Sequence, residues 1–244
     1  MGLKKSAKCY ILQHENTMHK LQAHHFDAGY WRNKQGCQVV DGGRGGSIKI
    51  DIDGQAAILR QYRRGGFMRS IATDHYIWLG IKYSRPWREW TLLREACTAG
   101  LPVSKPLGAC VWKSGLTYQA AIITAFIEST QTLADYLEQA ALDRAGWYQL
   151  GVTIKNMQTL GFRHADLNAN NLLIDQNSKI YVIDFDKGCQ MKKLDDWQWS
   201  VLYRLQRSLQ KINKQKALYY RQDDWQALMD GYQANYNKAQ ISSR

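Results

Sequence analysis

The sequence predicts an α+β protein in two parts, an N-terminal part of antiparallel strands with one helix and a mainly helical C-terminal part. Short runs in which apolar and polar residues alternate mark strands in the first part. Apolar residues recur at helical spacing through most of the second part. We place the N-terminal lobe at residues 1–126 and the C-terminal lobe at residues 127–244.

The N-terminal part contains one clear hairpin and one clear helix. The dipeptide Asp53-Gly54 separates two short strand-like runs, which is a strong signal for a tight turn between antiparallel strands. Pro86 suits the first turn of a helix, and Gly100 suits its end. The predicted elements are strands Ser47–Ile52, Gln55–Arg60 and Tyr118–Phe126, and helix Arg85–Thr98.

The C-terminal part contains helices on either side of a second hairpin. Thr132 begins a helix whose apolar face runs from Leu133 to Ala141, because Thr132 and Asp135 have the spacing of a capping box. The other predicted elements are a helix through Trp147–Met157 ended by Gly161, strands Leu172–Ile174 and Ile180–Ile183, and a helical tail from Leu194 with an apolar stripe at every fourth residue.

Composition narrows the class of protein and its location. Hydrophobic residues make up 45% of the 244 residues and charged residues 22%, which is typical of a globular chain. The net charge of +12 indicates an anionic partner: a nucleic acid, a phosphate-bearing ligand or an anionic lipid surface. The five cysteines are scattered and form no CxxC pair, so we expect reduced thiols. Without a signal-peptide pattern or a long apolar span, the expected location is the cytoplasm.

One segment carries the pattern of a catalytic site. His164, Asp166 and Asn171 are followed by Asp184-Phe185-Asp186, and this order resembles the catalytic loop of kinases with the D-F-G segment after it. Phosphoryl transfer needs the acceptor hydroxyl to be aimed and the developing charge to be neutralised. We therefore expect Asp166 to be the catalytic residue and Asn171 and Asp184 to bind Mg²⁺, with His164 bracing the loop. Any one of these residues alone would more often be a turn or cap residue.

Two further features suit an ATP site. The glycines Gly42, Gly43, Gly45 and Gly46 precede the first hairpin, where backbone N–H groups can approach phosphates closely. The third strand of a kinase carries lysine, whereas Arg60 stands here and offers a permanent cation. Lys49 is the alternative cation. Glu89 is the expected ion-pair partner of Arg60, and Glu95 is the alternative.

Three departures from the protein-kinase pattern point away from a protein substrate. Asp186 replaces the glycine of D-F-G and no A-P-E segment follows, although protein kinases use that region to bind peptides. Asn168 replaces a lysine that many protein kinases carry. We expect a small-molecule or glycan acceptor.

Several short sequence segments are more specific than the general kinase motif. Segments from about Phe26 to Leu209 resemble the lipopolysaccharide kinase group of the protein-kinase-like superfamily, and within it the 3-deoxy-D-manno-octulosonic acid (Kdo) kinases; they are Leu59–Gly66, Arg88–Leu93, Gly100–Val103 and Ile183–Gly188. The resemblance implies a bilobal protein-kinase-like fold and transfer of the γ-phosphate of ATP to the 4-hydroxyl of Kdo on a lipid A precursor. It also implies peripheral contact with the cytoplasmic face of the inner membrane of a Gram-negative bacterium.

A stretch of interleaved cations and aromatic residues fits such an acceptor. Lysine and arginine suit phosphates and carboxylates, while tryptophan and tyrosine suit the headgroup boundary of a bilayer. We expect the segment Phe67–Tyr83 to include a surface that faces the acceptor or the membrane. Ordinary core aromatics beside solvated charges would give the same pattern.

Other functions remain open on sequence grounds. A heptose kinase, or a small-molecule kinase of the choline or aminoglycoside type, would carry the same catalytic motif. A non-catalytic kinase-fold scaffold would explain the altered residue at Arg60, but Asp166, Asn171 and Asp184 oppose it. The charge also permits a nucleic-acid-binding protein, although we find no zinc-finger spacing, RNP-type motif or basic coiled coil.

Overall fold

The computed structural model divides the chain into two compact units. Unit 1 comprises Met1–Arg94 and Ser104–Phe126, and unit 2 comprises Glu95–Val103 and Ile127–Arg244. The predicted boundary at residues 126 and 127 left residues 95–103 in the first lobe, but they cluster with the second. The structure describes residues 2–5, 9–13, 20–32, 34, 37–40, 47–63, 75–193 and 195–241.

Residues 95–103 belong to unit 2 because the chain there bonds to a strand of that unit. The N–H of Val182 donates to the carbonyl of Pro102 at 2.9 Å. Val103 and Val182 form a parallel bridge beside this bond. These long-range contacts have no signature in local sequence, which is why the periodicity of the chain did not reveal them.

Unit 1 is built on one antiparallel sheet. Its eight strands in the described part of the unit are β1 (Gly2–Lys5), β2 (Cys9–Gln13), β3 (Gln38–Val40), β4 (Ser47–Ile52), β5 (Gln55–Gln61), β6 (Tyr76–Ile77), β7 (Pro106–Ser114) and β8 (Thr117–Ala125). Seven of them follow the order β1-β2-β7-β8-β5-β4-β3, and β6 also pairs with β8.

The first predicted hairpin, β4–β5, is confirmed. Ile52 pairs with Gln55, and Asp53 and Gly54 form the turn with φ values of 51° and 86°. The alternation predicted from sequence is the inside–outside alternation of β4, whose Ile48, Ile50 and Ile52 are all buried in the core of the unit.

Two α-helices complete the described part of unit 1, and the last residues of the second one belong to unit 2. They are α1 (Ala28–Arg32) and α2 (Arg85–Thr98). The bounds of α2 match the prediction. Its Trp90 is fully buried and Gly100 follows it at φ 75°, a left-handed conformation that suits glycine at a helix end.

Unit 2 is mainly helical, as predicted. Its described elements include strands β9 (Thr130–Thr132), β10 (Phe162–Arg163), β11 (Leu172–Asp175), β12 (Ile180–Val182) and β13 (Cys189–Gln190), and helices α3 (Leu133–Gln139), α4 (Arg144–Thr159), α5 (Trp197–Lys216) and α6 (Gln222–Ile241). Strands β12, β11 and β9 form one small sheet, and β10 pairs with β13.

Helix α3 begins as predicted and ends earlier. Thr132 caps it by accepting a hydrogen bond from the N–H of Asp135 at 3.0 Å. The helix stops at Gln139 because Ala140 adopts an extended conformation at φ −151°. Ala140 and Ala141, which we expected on its apolar face, therefore lie outside it.

Helices α4 and α6 pack backbone against backbone. A Cβ atom on Gly151 would lie 1.9 Å from the carbonyl oxygen of Leu228, and one on Gly231 would lie 1.9 Å from that of Tyr148. Only glycine permits this approach. Among the described residues, no helix has both the length and the apolar character needed to cross a membrane.

The predicted fold class is thus confirmed at the level of α+β architecture, with a strand-rich first unit and a helical second one.

Candidate active site

The segment that carries Asp166 is held in place by the side chain of Asn168. The Nδ2 of Asn168 donates to the carbonyl of Asp166 at 2.8 Å, and its Oδ1 accepts from the N–H of Asn170 at 2.9 Å. Asn168 thereby caps the short 3-10 turn Ala169–Asn171. Sequence reasoning used Asn168 only as a sign of a non-protein acceptor and missed this structural role.

Asn171 joins the segment of Asp166 to the β11–β12 hairpin. Its Nδ2 donates to the carbonyl of Asp166 at 2.9 Å, and its own carbonyl accepts from the N–H of Ile183 at 3.0 Å. Because a carbonyl accepts only, the amide nitrogen must face Asp166, and no residue in the described ranges donates to the amide oxygen of Asn171. An oxygen of the type that binds Mg²⁺ is therefore available at this position.

Asp184 follows β12 in a left-handed backbone conformation. Its φ is 63°, which aspartate tolerates better than most residues but which still costs free energy. Leu172 pairs with Val182 across the hairpin, so Asn171 and Ile183 lie opposite each other and Asp184 is the next residue. The structure thus brings together the three predicted residues Asp166, Asn171 and Asp184 through hydrogen bonds of their segments.

His164 braces this arrangement from the interior. Its Nε2 lies 2.9 Å from the carbonyl of Ile183, and its ring packs edge-on against the buried ring of Phe185 with 4.8 Å between centroids. Burial is the largest effect on this imidazole and lowers its pKa below the ordinary value. A neutral ring that faces a carbonyl must carry its proton on Nε2. The predicted bracing role of His164 agrees with these contacts.

Arg204 of α5 is a site residue that sequence reasoning missed. Its Nε donates to Oδ1 of Asp166 at 2.8 Å, and its Nη2 donates to the same oxygen. No other residue in the described part of the chain donates to the Asp166 carboxylate, so Oδ2 remains available to an acceptor hydroxyl. The pair is half-exposed, with 46% of the Arg204 side chain and 33% of the Asp166 side chain accessible.

Arg60 and Glu89 form the predicted ion pair within unit 1. The Nη2 of Arg60 lies 2.5 Å from one carboxylate oxygen of Glu89 and 2.7 Å from the other. The hydroxyl of Tyr62 donates to Glu89 at 2.5 Å as well. Glu89 is 2% exposed, so these donors replace the water that a buried carboxylate loses. Glu89 rather than Glu95 is the partner, since β5 and α2 bring Arg60 and Tyr62 to the same carboxylate.

Burial also governs Tyr62. Together with the nearby Glu89 carboxylate, it raises the pKa of Tyr62 well above the ordinary value, with burial the larger cause. The phenol therefore stays protonated and acts as a donor to Glu89. The binding of a nucleotide phosphate by Arg60 stays a prediction.

Of the other residues predicted to contact the nucleotide, the structure describes Lys49 but not the glycines. The ammonium of Lys49, the alternative cation, lies 3.8 Å from the centre of the Phe126 ring. Gly42, Gly43, Gly45 and Gly46 lie outside the described residues, as do Phe67 and the rest of the predicted surface segment up to residue 74.

The donor set of the predicted metal site fits Mg²⁺ and not a softer metal. One carboxylate and one amide oxygen are hard ligands, and Mg²⁺ in kinases completes its shell with phosphate oxygens and water. Across the described ranges no three His, Cys, Asp or Glu side chains form a group that could hold a metal ion by themselves. A site of two protein ligands therefore depends on the nucleotide for the remaining ones.

Comparison with known proteins also indicates a kinase. Residues 30–232 match the model of the lipopolysaccharide kinase (Kdo/WaaP) family, which is most of the chain. The chain belongs to this family. Membership in the lipopolysaccharide kinase family confirms the protein-kinase-like fold and the predicted phosphotransferase class.

Several curated relatives carry one name, 3-deoxy-D-manno-octulosonic acid kinase. The relative from Vibrio parahaemolyticus is 34% identical over 205 residues, which are 84% of this chain and 86% of the relative. The relative from Xanthomonas campestris is 36% identical over 200 residues, covering 82% of this chain and 80% of the relative. The relative from Pasteurella multocida is 36% identical over 220 residues, covering 87% and 91%.

Proposed function

We propose that this chain is an ATP-dependent kinase that phosphorylates the 4-hydroxyl of a Kdo residue on a lipid A precursor in lipopolysaccharide core biosynthesis. The observation that carries the proposal is the pair of hydrogen bonds that join Asn171 to Asp166 and to Ile183, the residue before Asp184, in a member of the lipopolysaccharide kinase family. The three curated relatives described above, each named 3-deoxy-D-manno-octulosonic acid kinase, support the choice of acceptor.

Asp166 is the residue that orients the acceptor in this proposal. Its Oδ1 is held by Arg204, and its Oδ2 can accept the hydrogen bond of the attacking hydroxyl. A proton lost from that hydroxyl passes to the Asp166 carboxylate as the hydroxyl oxygen bonds to the γ-phosphorus of ATP, while the bond from that phosphorus to the β–γ bridging oxygen breaks and ADP leaves. Two hydrogen bonds to the Asp166 carbonyl, from Asn168 and Asn171, keep the residue in place during this step.

Asn171 and Asp184 would hold Mg²⁺ through the amide oxygen of the first and the carboxylate of the second. The bound ion would supply positive charge next to the phosphate oxygens, where negative charge develops during transfer. Within the chain, the bond from Ile183 to Asn171 fixes the spacing of the two ligands.

We assign the nucleotide phosphates to Arg60 and to the glycines Gly42, Gly43, Gly45 and Gly46. Glu89 orients the guanidinium of Arg60 by accepting from its Nη2, and a planar guanidinium suits a phosphate group. The bidentate reach of arginine explains how this residue can replace the usual lysine.

We also propose contact with the cytoplasmic face of the inner membrane through one surface of unit 1. Apolar side chains there are unusually exposed: Ile77 is 70% exposed, Leu79 73%, Tyr83 72% and Leu116 85%. The N–H of Trp78 donates to the carbonyl of Leu116 at 2.9 Å, which keeps the two segments together. Lys82 and Lys113 add cations that suit anionic headgroups.

Vesicle sedimentation tests this surface. Changing Ile77 and Leu79 together to serine should weaken binding to anionic vesicles about tenfold or more, because the variant no longer buries two apolar side chains in the bilayer. The matched control is Leu160→Ser, an exposed apolar residue of unit 2. Equal binding by the double variant and the control would exclude the surface.

An acceptor panel with labelled ATP tests the proposed reaction. The wild-type protein is incubated with a Kdo-bearing lipid A precursor, a heptose-bearing core oligosaccharide, choline and an aminoglycoside. We expect label only in the Kdo-bearing precursor, and at its 4-hydroxyl by NMR of the product. Label in the heptose acceptor alone would replace Kdo with heptose, and no label in any acceptor would refute the kinase assignment.

A further inference from the structure

Helix α5 carries a charge pattern that its structural role does not explain. Its twenty residues include five cations, Arg204, Arg207, Lys211, Lys214 and Lys216, and no carboxylate. Lys214 and Lys216 lie in the last turn, where cations favour the negative end of the helix dipole. Arg204 lies in the middle of the helix, where the dipole offers no such stabilisation.

The guanidinium of Arg204 has donors to spare. Two of its nitrogens donate to a single oxygen of Asp166, and no other side chain in the described ranges accepts from it. A guanidinium carries five N–H donors, so three remain for a ligand. Nearly half of the side chain is exposed to solvent, which leaves room for that ligand.

An open groove adjoins Arg204 on the same helix. It has a volume of about 450 Å³ and is lined by Asp196, Trp199, Ser200 and Tyr203. Ser200 lies four residues before Arg204, so the groove and the cation are neighbours on the helix surface. Trp199 is 43% exposed and Tyr203 58% exposed, so both rings are accessible to a ligand. The Trp199 ring also packs against Tyr232 of α6 at 5.9 Å, which holds one wall of the groove.

We propose that α5 is the acceptor-binding surface, in which Arg204 binds the carboxylate of the acceptor sugar acid and Tyr203 and Trp199 pack against its sugar rings. This inference rests on the proposed function, because Asp166 must be the residue that receives the acceptor hydroxyl. That hydroxyl must come within about 3 Å of the Asp166 carboxylate, and Arg204 is bonded to this same carboxylate.

The chemistry of the acceptor fits this spacing. In a 3-deoxy-2-ulosonic acid the carboxylate is attached at C2 and the reacting hydroxyl at C4, with only the C3 methylene between them. A hydroxyl bonded to Asp166 therefore places the carboxylate within reach of the planar fork of Arg204, which matches a carboxylate better than lysine does. A neutral sugar offers no such partner, so Arg204 would select for a sugar acid.

Steady-state kinetics with two acceptors test the role of Arg204. The acceptors are a Kdo-bearing precursor and the same compound with the Kdo carboxyl converted to its methyl ester. Arg204→Ala should raise the KM for the intact acceptor about tenfold to a hundredfold, which is the loss of one charge-assisted contact. The KM for ATP should stay within twofold. The KM of wild type for the ester should be raised by a similar factor. The KM of Arg204→Ala for the ester should be little higher than that of wild type for the ester.

A matched control removes an arginine of the same kind elsewhere in unit 2. Arg144 pairs with Asp230 at 2.7 Å in a more exposed ion pair, and Arg144→Ala makes the same change of charge. It should leave both KM values unchanged. Tyr203→Ala should raise the acceptor KM about threefold to tenfold through lost ring contact, whereas Tyr219→Ala, a tyrosine of similar exposure, should not.

The possible outcomes are distinct. If Arg204→Ala lowers kcat equally on both acceptors and leaves KM unchanged, Arg204 only positions Asp166 and the carboxylate contact is refuted. If Arg204→Ala has no measurable turnover, the dissociation constant of each acceptor without ATP replaces KM, and equal binding by wild type and variant refutes the contact. If wild type itself fails to phosphorylate the intact acceptor, the proposed function fails, and this result is separate from any effect of Arg204.

Discussion

Removing the carboxylate of Glu89 should destabilise unit 1 by about 3 kcal/mol. Loss of one partner of a buried ion pair typically costs about 3–5 kcal/mol, because the remaining charge is left uncompensated. The Arg60 side chain is 21% exposed, so water can reach it in the variant and the lower end of that range applies. Glu89→Ala also leaves the buried hydroxyl of Tyr62 without its acceptor.

Differential scanning calorimetry measures this loss as a fall in melting temperature. For a chain of this length about 1 kcal/mol corresponds to about 2–4 °C, so Glu89→Ala should melt about 6–12 °C below wild type. Glu89→Gln keeps an acceptor for Tyr62 and should lose less. The double variant Arg60→Ala with Glu89→Ala should lose less than the sum of the single variants, since it leaves no unpaired charge.

A melting temperature of Glu89→Ala within about 2 °C of wild type would contradict this reasoning, because it would correspond to a loss of only about 1 kcal/mol or less. Additive losses in the double variant would also contradict it, because they would mean that the two side chains stabilise the protein independently. Tyr62→Phe serves as an internal check, since it removes one donor and keeps the ion pair. Its loss should be smaller than that of Glu89→Ala.

Three further predictions concern unit 2. Asp184→Asn should raise the Mg²⁺ concentration needed for half-maximal activity about tenfold, measured by titrating the metal at saturating ATP, because a neutral amide is a weaker ligand for a hard cation than a carboxylate. Burial lowers the pKa of His164 in the folded state, so as pH falls the unfolded chain binds a proton at this residue before the folded chain does. His164 therefore does not destabilise the folded state above about pH 6.5, and it lowers the free energy of unfolding as pH falls from there towards the lowered pKa. Melting curves of His164→Gln should accordingly depend less steeply on pH in that window, and an unchanged slope would contradict the assignment. Gly151→Ala should destabilise by about 1–3 kcal/mol or more in urea unfolding, since its Cβ would meet a main-chain oxygen of Leu228, whereas Gly146→Ala meets mainly a movable leucine side chain and should cost less.

Elements with strong local signals were predictable from sequence. Helix α2 has the predicted bounds because Pro86 and Gly100 mark its two ends. The β11–β12 hairpin was also predicted, and with it the proximity of Asn171 and Asp184. These features depend on residues a few positions apart, which short-range patterns describe well.

Features that depend on distant residues were not predictable. Arg204 is 38 positions from Asp166, and a cation opposite an apolar stripe is what most surface helices carry. The sequence did not indicate the end of α5 either, because Ala217 adopts the left-handed conformation at φ 49°, a position where glycine is usual. The pairing of β2 with β7 joins residues about a hundred positions apart, so periodicity alone could not reveal it.

The mass of a Kdo-bearing lipid A precursor after incubation with ATP and Mg²⁺ tests the central claim most directly. With wild-type protein we predict that the precursor gains one phosphate, and that the gain disappears with Asp166→Asn, whose fold the retained Asn168 and Asn171 contacts to the main chain of residue 166 should preserve. An unchanged mass with wild-type protein, or an equal gain of phosphate with Asp166→Asn, would contradict the account.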